Sequence, residues 1–242
     1  MNLTFPLFNI GPTGSAQQSS SFIKYRLPFD LRQFFEIRFR FIAHELGQRS
    51  ALLMFMSASS SKTSNSLNST ENSSSDFISL LYSQRRVLLR LNLGQGERTL
   101  VSPIEANVTE QMVLFGRFHQ TFWLLVVPAG SSTSSASASS LSSPPPPPPP
   151  PSSSPSLSPL VGRMPLHHRF LNVDPYLWVG GHEDWAAHPA LAGGLVGFKG
   201  CIYDVELRAS SKVANTSNSW TRLDETLVER VAGVQQCDFE CT

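Results

Sequence analysis

Residues 34–42 read FFEIRFRFI. Phe35, Ile37, Phe39 and Phe41 share one face of an extended chain, and Glu36, Arg38 and Arg40 share the other. Successive side chains alternate across a strand, so this period of two predicts a half-buried antiparallel strand with one wet side. Such a strand must pair with neighbours and bury its apolar face against a second layer. The neighbours are written along the rest of the chain. Strands are predicted at 21–27 (SFIKYRL), at 51–57 (ALLMFMS, more deeply buried), and at 76–82 and 87–93, which form a hairpin about residues 83–86. Others are predicted at 99–101, 121–127 (TFWLLVV), 176–179 and 198–207. Leu223, Leu227 and Val231, spaced by four, predict one short helix. Many short strands, frequent turn signals and almost no helix predict an all-β antiparallel sandwich or jelly roll.

One segment cannot join that core. From 128 to 159 the chain is almost entirely Ser and Pro, with unbroken proline from 144 to 151. Polyproline is an extended helix without internal hydrogen bonds and buries little, which predicts a disordered insertion within a domain. Proline runs also bind SH3 or WW modules, but those partners are mostly intracellular. Setting the insertion aside leaves about 190 residues, enough for a sizeable core. A net charge of +1 gives no global field for nucleic acid or an anionic membrane. No apolar run reaches the length of a transmembrane helix, so no direct membrane insertion of this segment is expected. The opening MNLTFPLFNIGPTG lacks a basic start and a continuous apolar stretch, and is not read as a signal peptide. Asn-x-Ser/Thr sequons at Asn2, Asn68, Asn72, Asn107 and Asn215 nevertheless point to an extracellular glycoprotein.

The order of motifs resembles the laminin G-like domain. The pieces are ALLMFM, DFISL, a strand ending NLG, the aromatic–His pair Phe118-His119, LWVGG at 177–181, GFKGCI at 197–202 and a closing cysteine. The resemblance runs from about residue 20 to 237, and the ordered set carries it more than any single motif. It implies a β-sandwich of about a dozen or more strands. Domains of this kind occur in laminin, agrin, perlecan, neurexins, slit proteins and the Fat, flamingo and crumbs families. There they bind glycans, proteoglycans or receptor ectodomains, often with calcium. The chain departs from the pattern in two places. Phe118 stands where the family usually has Trp, and the Ser/Pro insertion replaces a hairpin turn, leaving a faint return strand expected at 160–164.

The resemblance also implies site residues. Calcium would be held by the side chains of Asp76 and Asn172 and by the main-chain carbonyls of Leu93 and Phe170. Oxygen donors suit this hard cation, and one carboxylate with one amide predicts weak, extracellular-range affinity of roughly 10⁻⁴–10⁻³ M. The alternative is that Asp76 only caps the hairpin and Asn172 makes an Asx-turn before Pro175. Of three cysteines, Cys201 is expected to bridge to Cys237. Residues 238–242, with Cys241, would then open a following EGF-like module; three reduced thiols are the other possibility.

A basic face offers a second kind of site. Lys24, Arg26, Arg38 and Arg40 lie on predicted strands, and Arg85, Arg86, Arg90 and Arg98 cluster about the hairpin. Arg85, Arg86 and Arg90 are the candidates for binding a sulfated glycan such as heparan sulfate. The plainer reading is a solvated strand face. His182, Glu183 and His188 share one loop at a spacing that suits no standard metal site. For a lectin, Trp178 and Trp185 are the candidates for sugar stacking. A sandwich glycosidase would need carboxylates converging on one face. Only Asp204 and Glu206 stand at i and i+2, with Ile202 before them and Tyr203, Val205 and Leu207 expected on the buried face. They read as solvent-facing acids, and no catalytic residue is assigned. The expectation is therefore a non-catalytic extracellular recognition module, or part of a plasma-membrane ectodomain. It would serve cell adhesion by binding a receptor or matrix glycan, with calcium as the expected cofactor.

Overall fold

The alternating segment forms the middle of a six-stranded sheet, packed against a sheet of eight. The computed structural model describes residues 21–28, 31–44, 49–58, 76–94, 96–106, 109–128, 158–164, 170–186, 188–192, 194–209 and 219–234. The strands, in chain order, are β1 Phe22–Arg26, β2 Phe34–Ala43, β3 Ala51–Ser57, β4 Phe77–Ser83 and β5 Arg86–Asn92. They continue with β6 Glu97–Val101, β7 Gln111–Phe118, β8 Thr121–Pro128, β9 Leu160–Arg163 and β10 Tyr176–Val179. The last are β11 Val196–Gly197, β12 Gly200–Ala209, β13 Thr221–Arg222 and β14 Val228–Ala232. The larger sheet runs β14-β1-β10-β3-β4-β5-β6, with β11 beside β3; the smaller runs β13-β12-β2-β7-β8-β9. The pairings are antiparallel except that of β11 with β3.

Between the sheets, Phe35, Ile37, Phe39 and Phe41 of β2 meet Val113 and Phe115 of β7 and Phe122, Leu124 and Val126 of β8. From the other sheet come Ile78, Leu80 and Tyr82 of β4, Val87, Leu89 and Leu91 of β5, and Leu177 and Val179 of β10. The faint return strand is present: β9 pairs with β8, Leu160 opposite Leu124. The strand β7, which pairs with β2 over its whole length, was not anticipated from the sequence.

The eight-stranded sheet is buried on its outer face too. Phe22, Leu52, Phe55, Phe77, Leu81 and Trp178 form a second cluster there, covered by Ala190, Leu191 and Leu195 and flanked by Trp185. This explains why all seven residues of β3 are buried. A register shift between Leu52 and Met54 turns both Leu53 and Met54 inward and leaves Phe55 outward.

Two expectations are corrected. The helix through Leu223, Leu227 and Val231 does not form. β13, a 3₁₀ turn at Glu225–Leu227 and β14 take its place. The Asp224 side chain caps the turn by accepting the Thr226 N–H at 3.0 Å. Three apolar residues at helical spacing, with hydrogen bonds to β1 available, do not outweigh pairing at the sheet edge. In β12, Asp204 adopts φ +51°, and the register against β2 shifts between Tyr203 and Glu206. Such a bulge inverts the alternation. Ile202, Val205 and Leu207 therefore point inward, while Tyr203 packs with Cys201 and Ile42 in a separate outer cluster. Residues 129–157 of the insertion, the five sequon asparagines, Cys237 and 238–242 lie outside the described residues.

Candidate functional site

The implied calcium residues come from segments that the fold brings to one corner of the sandwich. Asp76 immediately precedes β4, and Phe170 to Asn172 belong to the lead-in to β10. A backbone relay joins them. The N–H of Asn172 donates to Oδ2 of Asp76 at 2.8 Å, and the N–H of Leu171 donates to the Arg32 carbonyl at 3.1 Å. That same Arg32 carbonyl accepts Nη1 of Arg117 at 2.8 Å. Arg117 lies near the end of β7, one step beyond Val113 and Phe115 on the inward-facing series, and is 1% exposed. Burial pushes its guanidinium down to about 10, while the negative charge of Asp76 pulls it back up. It stays cationic at neutral pH. Leu93 is buried just past β5, where the Asn92 side chain accepts the Gly94 N–H at 2.8 Å. Asn172 and Phe170 are exposed.

This donor set suits a calcium ion poorly. Its single carboxylate already accepts a main-chain hydrogen bond and lies within the field of a buried guanidinium. The second side chain is a neutral amide. A dication entering here would add charge beside the buried guanidinium of Arg117.

Two large aromatics stand at the same corner. Phe118 ends β7 at the β7–β8 turn, 53% exposed, and packs edge-on against Phe34 with ring centroids 6.3 Å apart. Phe170 is 51% exposed. Residues 32–33 tie them together, since the Gln33 carbonyl accepts the His119 N–H at 2.9 Å next to the Arg32 carbonyl that accepts Leu171. Sequence reasoning had marked Phe118 only as a motif position and Phe170 only as a carbonyl. The signal for both was an aromatic beside a turn, where no core position is available.

The remaining candidates are scattered or committed. Arg90 is held by Glu97 through Nε and Nη2, each at 2.6 Å, and its Nη1 reaches the Ala190 carbonyl at 3.3 Å. It clamps the covering segment onto the sheet. Arg85 lies 3.8 Å from Glu105, while Arg86 is exposed. Lys24 sits between Glu183 and Glu229. Trp178 is only 7% exposed, beneath the segment that carries Trp185. That segment is the loop that holds His182, Glu183 and His188. His182 and His188 pack against Phe55, with ring centroids 5.4 and 5.3 Å away, and burial lowers the proton affinity of both. Nδ1 of His188 caps the 3₁₀ turn Pro189–Leu191 by accepting the Ala190 N–H at 3.1 Å.

On the outer face of the six-stranded sheet the acids are paired with arginines. Glu206 pairs with Arg38, Glu36 with Arg208, Glu110 with Arg40 at 2.9 Å, and Asp204 with Arg222 at 2.8 Å. Arg38 and Arg208 also flank Trp220, 4.4 and 5.0 Å from its ring centre, a stack the sequence reading missed. Asp204 and Glu206 line a cleft with Arg38 and Arg40. No group of three or more His, Cys, Asp or Glu converges as a metal cluster among the described residues. Cys201 is disulfide-bonded, and both other cysteines of the chain lie outside the described residues.

Domains LG4-5 of the mouse laminin alpha1 chain superpose with a TM-score of 0.63 at 12% identity, over 98% of this chain and 48% of that one. The LG1-3 region of the laminin alpha2 chain gives 0.61 at 14% identity, over 96% and 34%. The fold is that of a laminin G-like domain. No family model matches the sequence. A curated relative, "Protein eyes shut" of Drosophila melanogaster, is 26% identical over 233 residues. The match takes in 93% of this chain and 9% of that protein, so the chain spans a small part of the relative's length. Among the described residues, no helix is long and apolar enough to cross a membrane.

Proposed function

We propose that this laminin G-like domain is a non-catalytic extracellular recognition module that binds a receptor ectodomain or matrix glycan in cell adhesion. Its contact surface is the corner built from Phe118, Phe170 and the 32–33 segment. The observation that carries the reading is the exposure of Phe118 and Phe170, each about half open, on turns held together by main-chain hydrogen bonds. Large aromatics on preorganised backbone are the usual anchors of protein recognition. A laminin-like sandwich supplies the setting and the extracellular expectation. The proposed bridge between Cys201 and Cys237 fits the same oxidising compartment.

The test uses the full chain, multimerised and applied to adherent cells and to deposited matrix. The double substitution Phe118→Ser, Phe170→Ser is expected to reduce binding by tenfold or more without lowering the melting temperature. Unchanged binding refutes the assignment of this corner. Binding lost on heparan sulfate digestion and on Arg86→Ala, but kept by the double variant, would support the glycan reading through the β4–β5 hairpin.

A further inference from the structure

We propose that the side chain of Arg117 is the resident cation of this corner, so that the contact surface proposed above is ordered without metal.

The case rests on where the guanidinium sits. β7 carries Val113 and Phe115 into the inter-sheet core, and two residues on the same alternation delivers a full positive charge to the rim. A buried cation needs hydrogen-bond acceptors and an anion. The Arg32 carbonyl supplies the first at 2.8 Å. The second, Asp76, acts through space, and it is tied to the same backbone: the Arg32 carbonyl holds Leu171, and the next residue, Asn172, donates its N–H to Asp76 at 2.8 Å. The elements that a calcium ion would have to join, the start of β4 and the lead-in to β10, are therefore already joined by the chain itself. The arginine adds a third, from the opposite sheet.

The charge count agrees. The implied ligands offer one carboxylate, Asp76, and one neutral amide, Asn172. Asp174, two residues further along the same lead-in, is not among the implied ligands, so a dication would share its one carboxylate ligand with the field of the Arg117 guanidinium. The mutual pull between Arg117 and Asp76 is consistent with this pairing of charges. An arginine differs from a bound ion in one respect that matters to function: it does not dissociate. The rim would keep its shape at any extracellular calcium concentration and after chelation.

The experiment compares the full chain with Arg117→Met and Arg117→Met/Asp76→Asn, each with calcium or with chelator. For the unmodified chain, the melting temperature should stay within about one degree between millimolar calcium and excess chelator. Titration calorimetry with calcium chloride should show no saturable binding. Arg117→Met is expected to melt several degrees lower and to recover part of that loss in calcium, because it leaves Asp76 without its counter-charge. The recovery should vanish in the double variant. A merely structural arginine would give the lower melting temperature without the calcium response, and that result overturns the proposal. So does saturable calcium binding to the unmodified chain, in the 10⁻⁴–10⁻³ M range, that Asp76→Ala abolishes. Should Arg117→Met not fold, the calorimetry on the unmodified chain decides alone. Failure here leaves the recognition role of Phe118 and Phe170 standing, since that is read by binding to cells.

Discussion

Replacing Gln84-Arg85 by Asn-Gly should stabilise the domain. The β4–β5 hairpin turns on these two residues, with Ser83 paired to Arg86 across the ends. Their φ angles are +48° and +63°, the left-handed pair of a type I′ turn. For an ordinary side chain that conformation costs about 1–2 kcal/mol per residue. Gly removes the cost at the second position but returns about 0.5–1 kcal/mol in unfolded-state entropy, and Asn relieves part of it at the first. The substitution also deletes the Arg85–Glu105 pair, 3.8 Å apart and half-exposed, worth about 0–1 kcal/mol. The main-chain bond from the Ala106 N–H to the residue 85 carbonyl at 2.6 Å does not depend on the side chain. The net gain is about 1 kcal/mol, which for a domain of this size raises the melting temperature by about 2–4 °C. Thermal unfolding by circular dichroism measures it, with Arg85→Ala as the control that loses the ion pair and keeps the strained turn. A variant that melts at or below the parent, while the control is unchanged, would show that the turn is not the source of strain.

Two further outcomes follow from the buried loop and the sheet edge. His182 and His188 bind protons less readily in the folded state than in the unfolded chain, whose histidines titrate near about 6.5. The unfolded state thus takes up more protons on acidification. The contribution of these residues should be complete above about pH 6.5 and lost as pH falls through the depressed folded values. Hydrogen exchange over 182–192 at pH 7.5 and 5.5 should show the loss locally, and His188→Gln should blunt it; equal protection at both pH values would argue against it. At Gly181, an added Cβ would lie 2.4 Å from the Ser21 carbonyl oxygen, so Gly181→Ala must displace β1 from β10. It is expected to cost about 1–3 kcal/mol, seen as a lower denaturation midpoint.

Much of the sandwich was legible because most strands keep one rule. β2 alternates cleanly, and its inward residues are the ones expected. Where the rule failed, a specific residue broke it. β7 places Gln111 and Arg117 at buried positions, so its alternation does not read as apolar and polar. Asp204, in a left-handed bulge, reverses the phase of β12 and moves Tyr203 to the outer face. The apolar run of β3 announced burial on both sides but could not say what covers the second side. The site was legible to the same degree. Motif order led to Asp76 and Asn172, which do share a corner. Nothing local marks Arg117 as their neighbour, because a buried cation is defined by partners far away in sequence, here Arg32 at a separation of 85 residues. Arg90 misled for the converse reason: it clusters with other arginines in sequence, yet its charge is spent on Glu97 and the covering loop.

The segment laid over the eight-stranded sheet gives this molecule a front and a back. A bare sandwich offers two broad faces to its surroundings, and a partner could approach either. Here one of them is roofed by Trp185, Ala190, Leu191 and Leu195. The other is a lattice of arginine–carboxylate pairs around Trp220. This asymmetry fixes which way the module must be turned for a given neighbour to reach it. Orientation then becomes a property of the domain itself, set by a covering segment that belongs to neither the inter-sheet core nor the corner at Phe118 and Phe170.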